Sequence, residues 1–571
     1  MEFTYRKVNN GSLLESISHN QYLDLSGAQN YNPLYKRFFD MNEKSQSSMT
    51  LNNKYYLDGV DIMTGGNTCK ALVRTTDGIH EIRDVFFKYS PLMDPSKYMI
   101  GRYDITTSST LELPDFSGNK GHPKTKDPNN SAYVDAFFTY LTSQLLHQHA
   151  FPHAIDFYGS FLAQKNNFRF NIADDIEYLN DSKFFHDNRG TLFSVDDGAA
   201  SNAFNFDSRK NKDKLVICSD DLSKDVLKLD DIMDLSLLDS VFTNGNMEIA
   251  DSQEEADLVF TFDLPSNKDD EDDATSSCSS RSSVTEGSDE ESENDDEESD
   301  EEDDEDDTTC STASEDELMA TINQFPVQVI ALERCKETLD QLITDNGDDL
   351  SDEEWGSMAM QIIMMLLAYQ KSFGFTHNDL HTNNVMYNKT DKSFLYYKCD
   401  GRNYKVPTFG RIFKIIDFGR AIYKFRGNVV CSDSYHHKGD AATQYNFEPY
   451  LNPDKPRLEP NPSFDLCRLG CSLYDFIADD VEAMPKGPKN AARRMIMDWC
   501  TDDKGRNMLY KNNGEERYPD FKLYKMIARS VHKHTPHNVL CSGYFERFTT
   551  SRKKISKKAT IINIDALPSY S

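Results

Sequence analysis

The sequence predicts an α+β protein of two lobes, the first mainly antiparallel sheet with one helix and the second mainly helical. Three observations carry that expectation. Short apolar runs separated by turn residues fill the chain up to Leu162. Apolar stripes at helical spacing dominate beyond Ser351. Between them a stretch rich in Ser, Asp and Glu divides the first lobe as a large, partly disordered insertion.

Residues 1–57 read as an N-terminal extension, and 58–332 as the first lobe. Ala71-Leu72-Val73 and Val85-Phe86-Phe87-Lys88-Tyr89 are apolar strands, the second carrying one cation, and Gly65-Gly66 marks a turn before them. Asn130 to His147 reads as a helix, because Phe137, Tyr140, Leu141 and Leu145 recur at helical spacing. Phe157 to Leu162 and Val327 to Leu332 are further strands, so 163–324 is an insertion inside the lobe and not a terminal domain. Leu215-Val216-Ile217 and Leu258-Val259-Phe260 are its candidate folded pieces.

The second lobe, 333–571, opens with a short helix at Thr338 to Ile343. Ser351 and Glu354 stand at capping-box spacing, and Met358, Ile362, Met365 and Tyr369 line one face of a long helix ending near Gly374. Leu395 to Tyr397 and Phe413 to Ile416 read as strands, with Asp400-Gly401 as a turn between them. Leu466 to Ile477 and Asn490 to Cys500 read as helices.

Charge describes one segment and not the fold. Of the formal net charge of −33, −21 lies between Asp269 and Asp307, where 22 acidic residues face one Arg, and −12 remains for the rest. The tract 266–314 holds too little apolar surface to offset its ordering entropy, so disorder is expected there. Ser288, Ser292 and Ser299 each precede a carboxylate by three positions, the pattern acidophilic kinases prefer; a solvated spacer is the plainer reading. No apolar run reaches the roughly 20 residues a membrane helix needs. The N-terminus lacks a signal-peptide core, and eleven scattered Cys without a Cys-x-x-Cys pair suit a reducing compartment. A cytoplasmic protein with no membrane partner and no direct nucleic-acid binding is expected.

The segment His377-Asn378-Asp379-Leu380-His381-Thr382-Asn383-Asn384 carries the chemistry, together with Ile415-Ile416-Asp417-Phe418-Gly419. It sets a potential base, Asp379, five residues before an amide oxygen, Asn384, and places a second carboxylate, Asp417, after a strand. Those are the groups needed to hold a divalent metal on a nucleoside triphosphate while a hydroxyl attacks its terminal phosphorus. Either motif alone would be a weak signal; the pair, in this order, is a strong one.

On these motifs the chain resembles the eukaryotic-type protein-kinase fold, most closely the divergent kinase-like proteins of giant amoebal DNA viruses of the mimivirus type. The resemblance covers about Asp58 to Leu162 and Val327 to Ile477. It implies ATP and Mg2+ as cofactors and a Ser/Thr protein hydroxyl as acceptor. It assigns Asp379 as catalytic base and Asn384 and Asp417 as metal ligands. Lys88, in Val85-Phe86-Phe87-Lys88, resembles the phosphate-pairing strand lysine, and Gly65 and Gly66 stand where a glycine-rich cover would lie. Asp135, the one acid of its helix, is the candidate partner of Lys88, and Glu333 is placed on the ATP side. His377, Gly419 and Asp465 are structural, Asp465 as helix cap or as brace of the catalytic loop. A viral origin would imply the host cytoplasm, or packaging in the virion.

Departures from the pattern keep other readings open. The full Gly-x-Gly-x-x-Gly is missing, Asp135 is a methylene shorter than Glu, and Asn378 stands where regulated kinases carry Arg. His381 replaces a frequent Lys, as in kinases of small molecules, and no Ala-Pro-Glu follows Asp417. A small-molecule kinase, or a pseudokinase scaffold whose acidic insert recruits a basic partner, are the alternatives. His532, His534, His537 and Cys541 are zinc ligands by type, although their spacing matches no standard finger.

Overall fold

The computed structural model describes residues 3–44, 49–105, 109–196, 318–483 and 491–571. The chain is mixed α+β with a large antiparallel sheet. The sheet-rich part contains β1 (Leu25–Gln29), β2 (Tyr55–Gly65), β3 (Thr68–Thr75), β4 (His80–Pro91), β5 (Phe157–Asn171), β6 (Phe193–Val195) and β7 (Met319–Glu333). Their order is β1-β5-β7-β4-β3-β2, with β6 also on β7. Helix α1 (Ser131–His149) lies between β4 and β5 in the chain.

Period-two burial explains the central strand. Val327, Val329 and Ala331 of β7 enter one core, and Ile330 and Leu332 enter the other, which continues into the helix-rich part. Helix α1 starts where the Asn130 side chain accepts from the Ala132 amide and ends at Ala150 with a φ of 53°. Every residue from Ala132 to Leu145 is buried, so this helix is enclosed on all sides rather than amphipathic.

Two expected boundaries move. Ala163–Asn171 and Met319–Gln324, assigned to the insertion, are paired strand from Ala163↔Val327 to Asn171↔Met319. Phe168, Ala320 and Ile322 are buried there, so these arms hold apolar surface that their polar neighbours obscured. The extension is not separate either: β1 pairs with β5, and Leu34 and Tyr35 join the main core. The acidic tract 266–314, with Ser288, Ser292 and Ser299, and the runs at Leu215–Ile217 and Leu258–Phe260 lie outside the described residues.

The helix-rich part contains α2 (Leu339–Asn346), α3 (Asp352–Phe373), α4 (Phe464–Ala483), α5 (Ala491–Trp499), α6 (Phe521–Ser530) and α7 (Pro536–Leu540). Its strands include β8 (Val385–Lys389), β9 (Phe394–Cys399), β10 (Arg402–Pro407) and β11 (Arg411–Ile415). The capping box of α3 forms between Ser351 and Glu354, and Gly374 closes the helix at a φ of 56°. β8 pairs with β11, and β9 with β10 across Asp400-Gly401, whose φ values of 50° and 72° are those of a tight hairpin turn. Among the described residues no helix is long and apolar enough to cross a membrane.

Candidate active site

The strand lysine and the two expected carboxylates meet. Lys88 on β4 lies opposite Ile330 of β7, and its Nζ is 2.8 Å from Asp135 Oδ2 and 2.9 Å from Asp417 Oδ1. The other oxygen of Asp135 accepts from the Phe418 amide at 2.9 Å, which ties α1 to the segment after β11. Burial opposes the charge on Lys88, but the two carboxylates outweigh it and hold the ammonium more basic than usual. Burial raises the pKa of Asp135 against the pull of Lys88, whereas Lys88 overcomes burial at Asp417 and keeps it below the usual carboxylate range.

The loop from His377 to Asn384 is held from below by Asp465 at the start of α4. Its carboxylate accepts from the His377 and Asn378 amides, both at 2.9 Å, and the residue is fully buried. His377 Nε2 donates to the Ile416 carbonyl at 2.9 Å, leaving Nδ1 to accept from the Asp379 amide at 3.3 Å. Phe418 packs edge-on against Phe138 of α1 at 4.8 Å and Phe375 at 5.9 Å, with His377 at 5.7 Å. Asn378 and Asp417 take φ values of 64° and 60°, a left-handed geometry that costs about 1 kcal/mol or more for non-glycine residues. The surrounding hydrogen bonds hold both in place.

Asp379 receives a contact that no local spacing announces. The Tyr524 hydroxyl, on α6, donates to Asp379 Oδ1 at 2.7 Å and accepts from Arg468 Nε at 2.9 Å. Arg420 stands 3.6 Å from Oδ2 of Asp379 and makes its close ion pair with Asp440 at 2.7 Å. Burial would raise the Asp379 pKa, but Arg420 first, then Arg468 and the Tyr524 hydrogen bond, hold it below the ordinary range, so it is ionised at neutral pH. Asn384 Nδ2 donates to the Asp379 carbonyl at 2.9 Å and to His381 Nε2 at 3.0 Å. That role needs a neutral imidazole, and burial pushes the His381 pKa down to about 4.

The remaining candidates divide. Gly65 and Gly66, with φ values of 145° and 42°, form the β2–β3 hairpin tip; Thr68 pairs with Phe86 of β4, which brings the tip to the Lys88 end of the strand. The Gly419 amide lies 3.3 Å from Asp417 Oδ1. Glu333, placed by sequence on the ATP side, has its carboxylate engaged elsewhere. It accepts from Lys414 Nζ at 3.0 Å, the Asn388 amide at 2.6 Å and the Asp156 backbone at 3.0 Å. Its side chain braces strand ends, because β8 and β11 bring Asn388 and Lys414 to the end of β7.

Two ties order the chain beyond Asp417. Asn378 Oδ1 accepts from Tyr445 at 2.8 Å, and its Nδ2 donates to the Arg420 carbonyl at 3.2 Å. Asp433 accepts from the Ser131 amide at 3.0 Å, pairs with Lys124, and donates its own amide to the Asn129 carbonyl at 2.7 Å. A carboxylate thus sits on the first turn of α1, where the helix dipole favours negative charge.

No family model matches the chain. Against curated proteins it is 31% identical over 116 residues to a probable serine/threonine-protein kinase of Dictyostelium discoideum, covering 19% of this chain and 9% of that protein. It is 31% identical over 119 residues to the serine/threonine-protein kinase haspin of Mus musculus, and 30% identical over the same length to haspin of Bos taurus. Each haspin match covers 21% of this chain and 14% of the relative, so the chain spans only a small part of the proteins it matches. Over about a fifth of its length, the chain is similar to serine/threonine-protein kinases.

Proposed function

We propose that this chain is an ATP- and Mg2+-dependent phosphotransferase of bilobal protein-kinase type that transfers the γ-phosphoryl group to a Ser or Thr hydroxyl of a protein. The observation that carries the reading is the meeting of Lys88 with both Asp135 and Asp417, at 2.8 and 2.9 Å, beside a loop that presents an ionised Asp379.

The donor set fits the cofactors. Asp417 and Asn384 Oδ1 are hard oxygen ligands of the kind Mg2+ takes, and the Asn384 side chain is oriented because its Nδ2 is spent on the Asp379 carbonyl and His381. Lys88 would hold the α/β-phosphates, with Asp135 fixing the ammonium, and the Gly65-Gly66 tip would cover them. Bound Mg2+ would neutralise charge on the transferring phosphoryl group. Asp379 would accept the hydrogen bond of the acceptor hydroxyl and orient it, using Oδ2, which Tyr524 does not engage and which faces Arg420 at 3.6 Å. The Asp433 tie to the start of α1 would do the ordering that a phosphate performs where the loop carries Arg in place of Asn378.

His381 favours a second reading, transfer to a small-molecule hydroxyl. Being neutral and bonded to Asn384, it offers no cation beside the acceptor, as a lysine there would. Radiolabelled ATP, with protein and small-alcohol acceptors in parallel, tests both. Asp379→Asn should abolish transfer while nucleotide binding persists; equal transfer by that variant overturns the assignment. Binding without transfer to any acceptor in the unmodified protein would instead favour a scaffold, whose acidic insert recruits a basic partner.

A further inference from the structure

Of the four residues that are zinc ligands by type, the fold separates two from the others. His532 pairs with Asp503 at 2.6 Å, and His534 Nε2 donates to the Thr501 carbonyl at 2.9 Å. His537 and Cys541, one helical turn apart across α7, instead converge on Asp400 of the β9–β10 turn. The three ligand atoms all lie within 4.8 Å of one another, and His537 Nε2 is 3.1 Å from Asp400 Oδ2. We propose that Asp400, His537 and Cys541 form a surface site for a borderline-soft divalent ion of the zinc class, its fourth position open to water.

The geometry and the donor types agree. Ligand distances of about 2.0–2.3 Å in a tetrahedral site put neighbouring N, O and S donors roughly 3.3–3.7 Å apart, so small side-chain rotations suffice. One thiolate, one imidazole and one carboxylate suit zinc, whereas Mg2+ and Ca2+ take oxygen alone. The Asp400 turn is already rigid. Asp565 accepts from the Asp400 and Gly401 amides at 2.7 and 3.0 Å, and Ile562-Asn563 adds a parallel strand to β9 at Tyr397 and Lys398. On the other side Val539 and Leu540 bury α7, and the Cys541 amide donates to the His537 carbonyl at 3.1 Å. The site would therefore join α7 to the β9–β10 turn at the surface ion pair of His537 and Asp400, whose side chains are 58% and 48% exposed. Cys541 is the one exposed cysteine among the described residues, which leaves its thiol accessible. On binding, the ion displaces the thiol proton to solvent and takes the neutral imidazole nitrogen, so affinity rises with pH.

Cobalt(II) is the probe, added to the reduced full-length protein and then displaced by Zn2+. The expected result is a near-ultraviolet thiolate-to-cobalt band with tetrahedral visible bands, saturating at one equivalent and bleached by Zn2+. Cys541→Ser should remove the thiolate band, and His537→Ala and Asp400→Ala should each weaken Co2+ binding by about tenfold or more. Absence of the thiolate band in the unmodified protein, or its persistence in Cys541→Ser, would overturn the proposal and leave a His–Asp ion pair. Neither result bears on phosphoryl transfer.

Discussion

Replacing Asp135 by Asn keeps the shape of the side chain and removes its charge from the Lys88 cluster. Lys88 is 14% exposed and Asp135 4%, so water supplies little compensation. Among the described residues the ammonium then has Asp417 as its sole carboxylate partner at 2.9 Å, the same group that would have to hold Mg2+. Losing one partner of a buried pair costs about 3–5 kcal/mol in folding terms. The part that reaches the chemistry is the oriented, charge-assisted hydrogen bond, about 1.5–3 kcal/mol. At about 1.4 kcal/mol per tenfold, kcat/KM for ATP should fall roughly 10- to 150-fold. Asp135→Glu returns the charge one methylene further out, recovering about tenfold of that loss while sacrificing the Phe418 amide contact. The assay is initial-rate transfer from radiolabelled ATP over a range of ATP concentrations, with thermal melts to show that each variant is folded. A folded Asp135→Asn protein with unchanged kcat/KM for ATP would refute the role given to this pair.

Tyr524→Phe removes a donor from Asp379; kcat should drop about 5- to 10-fold, and the acid limb of the pH–rate profile should move to higher pH, because a carboxylate losing a hydrogen bond becomes more basic. Asp433→Asn strands Lys124 and removes the carboxylate from the start of α1, and limited proteolysis should cut the segment between Asp417 and Tyr450 sooner, with transfer slowed about tenfold. Buried His153, bonded to the Phe413 carbonyl and the Tyr397 hydroxyl, has its pKa pushed from 6.5 down to about 4 by burial. Its contribution is complete above pH 6.5 and is lost as pH falls toward 4, about 3 kcal/mol in all. Urea midpoints measured between pH 7 and 4 should therefore decline, and less steeply in His153→Gln.

The legible parts of this chain are those whose hydrogen bonds close over a few residues. The Ser351–Glu354 capping box, the Asp400-Gly401 turn and the His377–Asn384 loop all declare themselves by spacing. Tyr524 does not, because it reaches Asp379 from 145 positions away, and a tyrosine on an amphipathic helix reads as core. Lys124 and Asp433 were equally silent, since neither belongs to a local pattern. The insertion boundary failed for another reason. In Ala163–Asn171 only Ala163 and Phe168 are buried, among Gln164, Lys165, Asn166, Asn167 and Arg169, so composition reads as loop where pairing with β7 makes strand.

Asp135 shows how packing settles what a motif leaves open. As the shorter acid, it demands a closer approach of α1 to β4, and burying a carboxylate opposes that approach by several kcal/mol. Phe137, Phe138, Tyr140, Leu141 and Leu145 of the same helix are each 0% exposed. At about 1.5–3 kcal/mol per fully buried apolar side chain, their burial outweighs the carboxylate cost before Lys88 is counted. Phe138 further stacks on Phe375 at 4.4 Å and meets Phe418 at 4.8 Å, so α1 is drawn to the His377–Asn384 loop by its aromatic face. The 2.8 Å Lys88–Asp135 contact is then a consequence of helix placement rather than its cause. Truncating Phe138 to Ala should lengthen that contact and lower ATP affinity, although Phe138 itself pairs with no charged group.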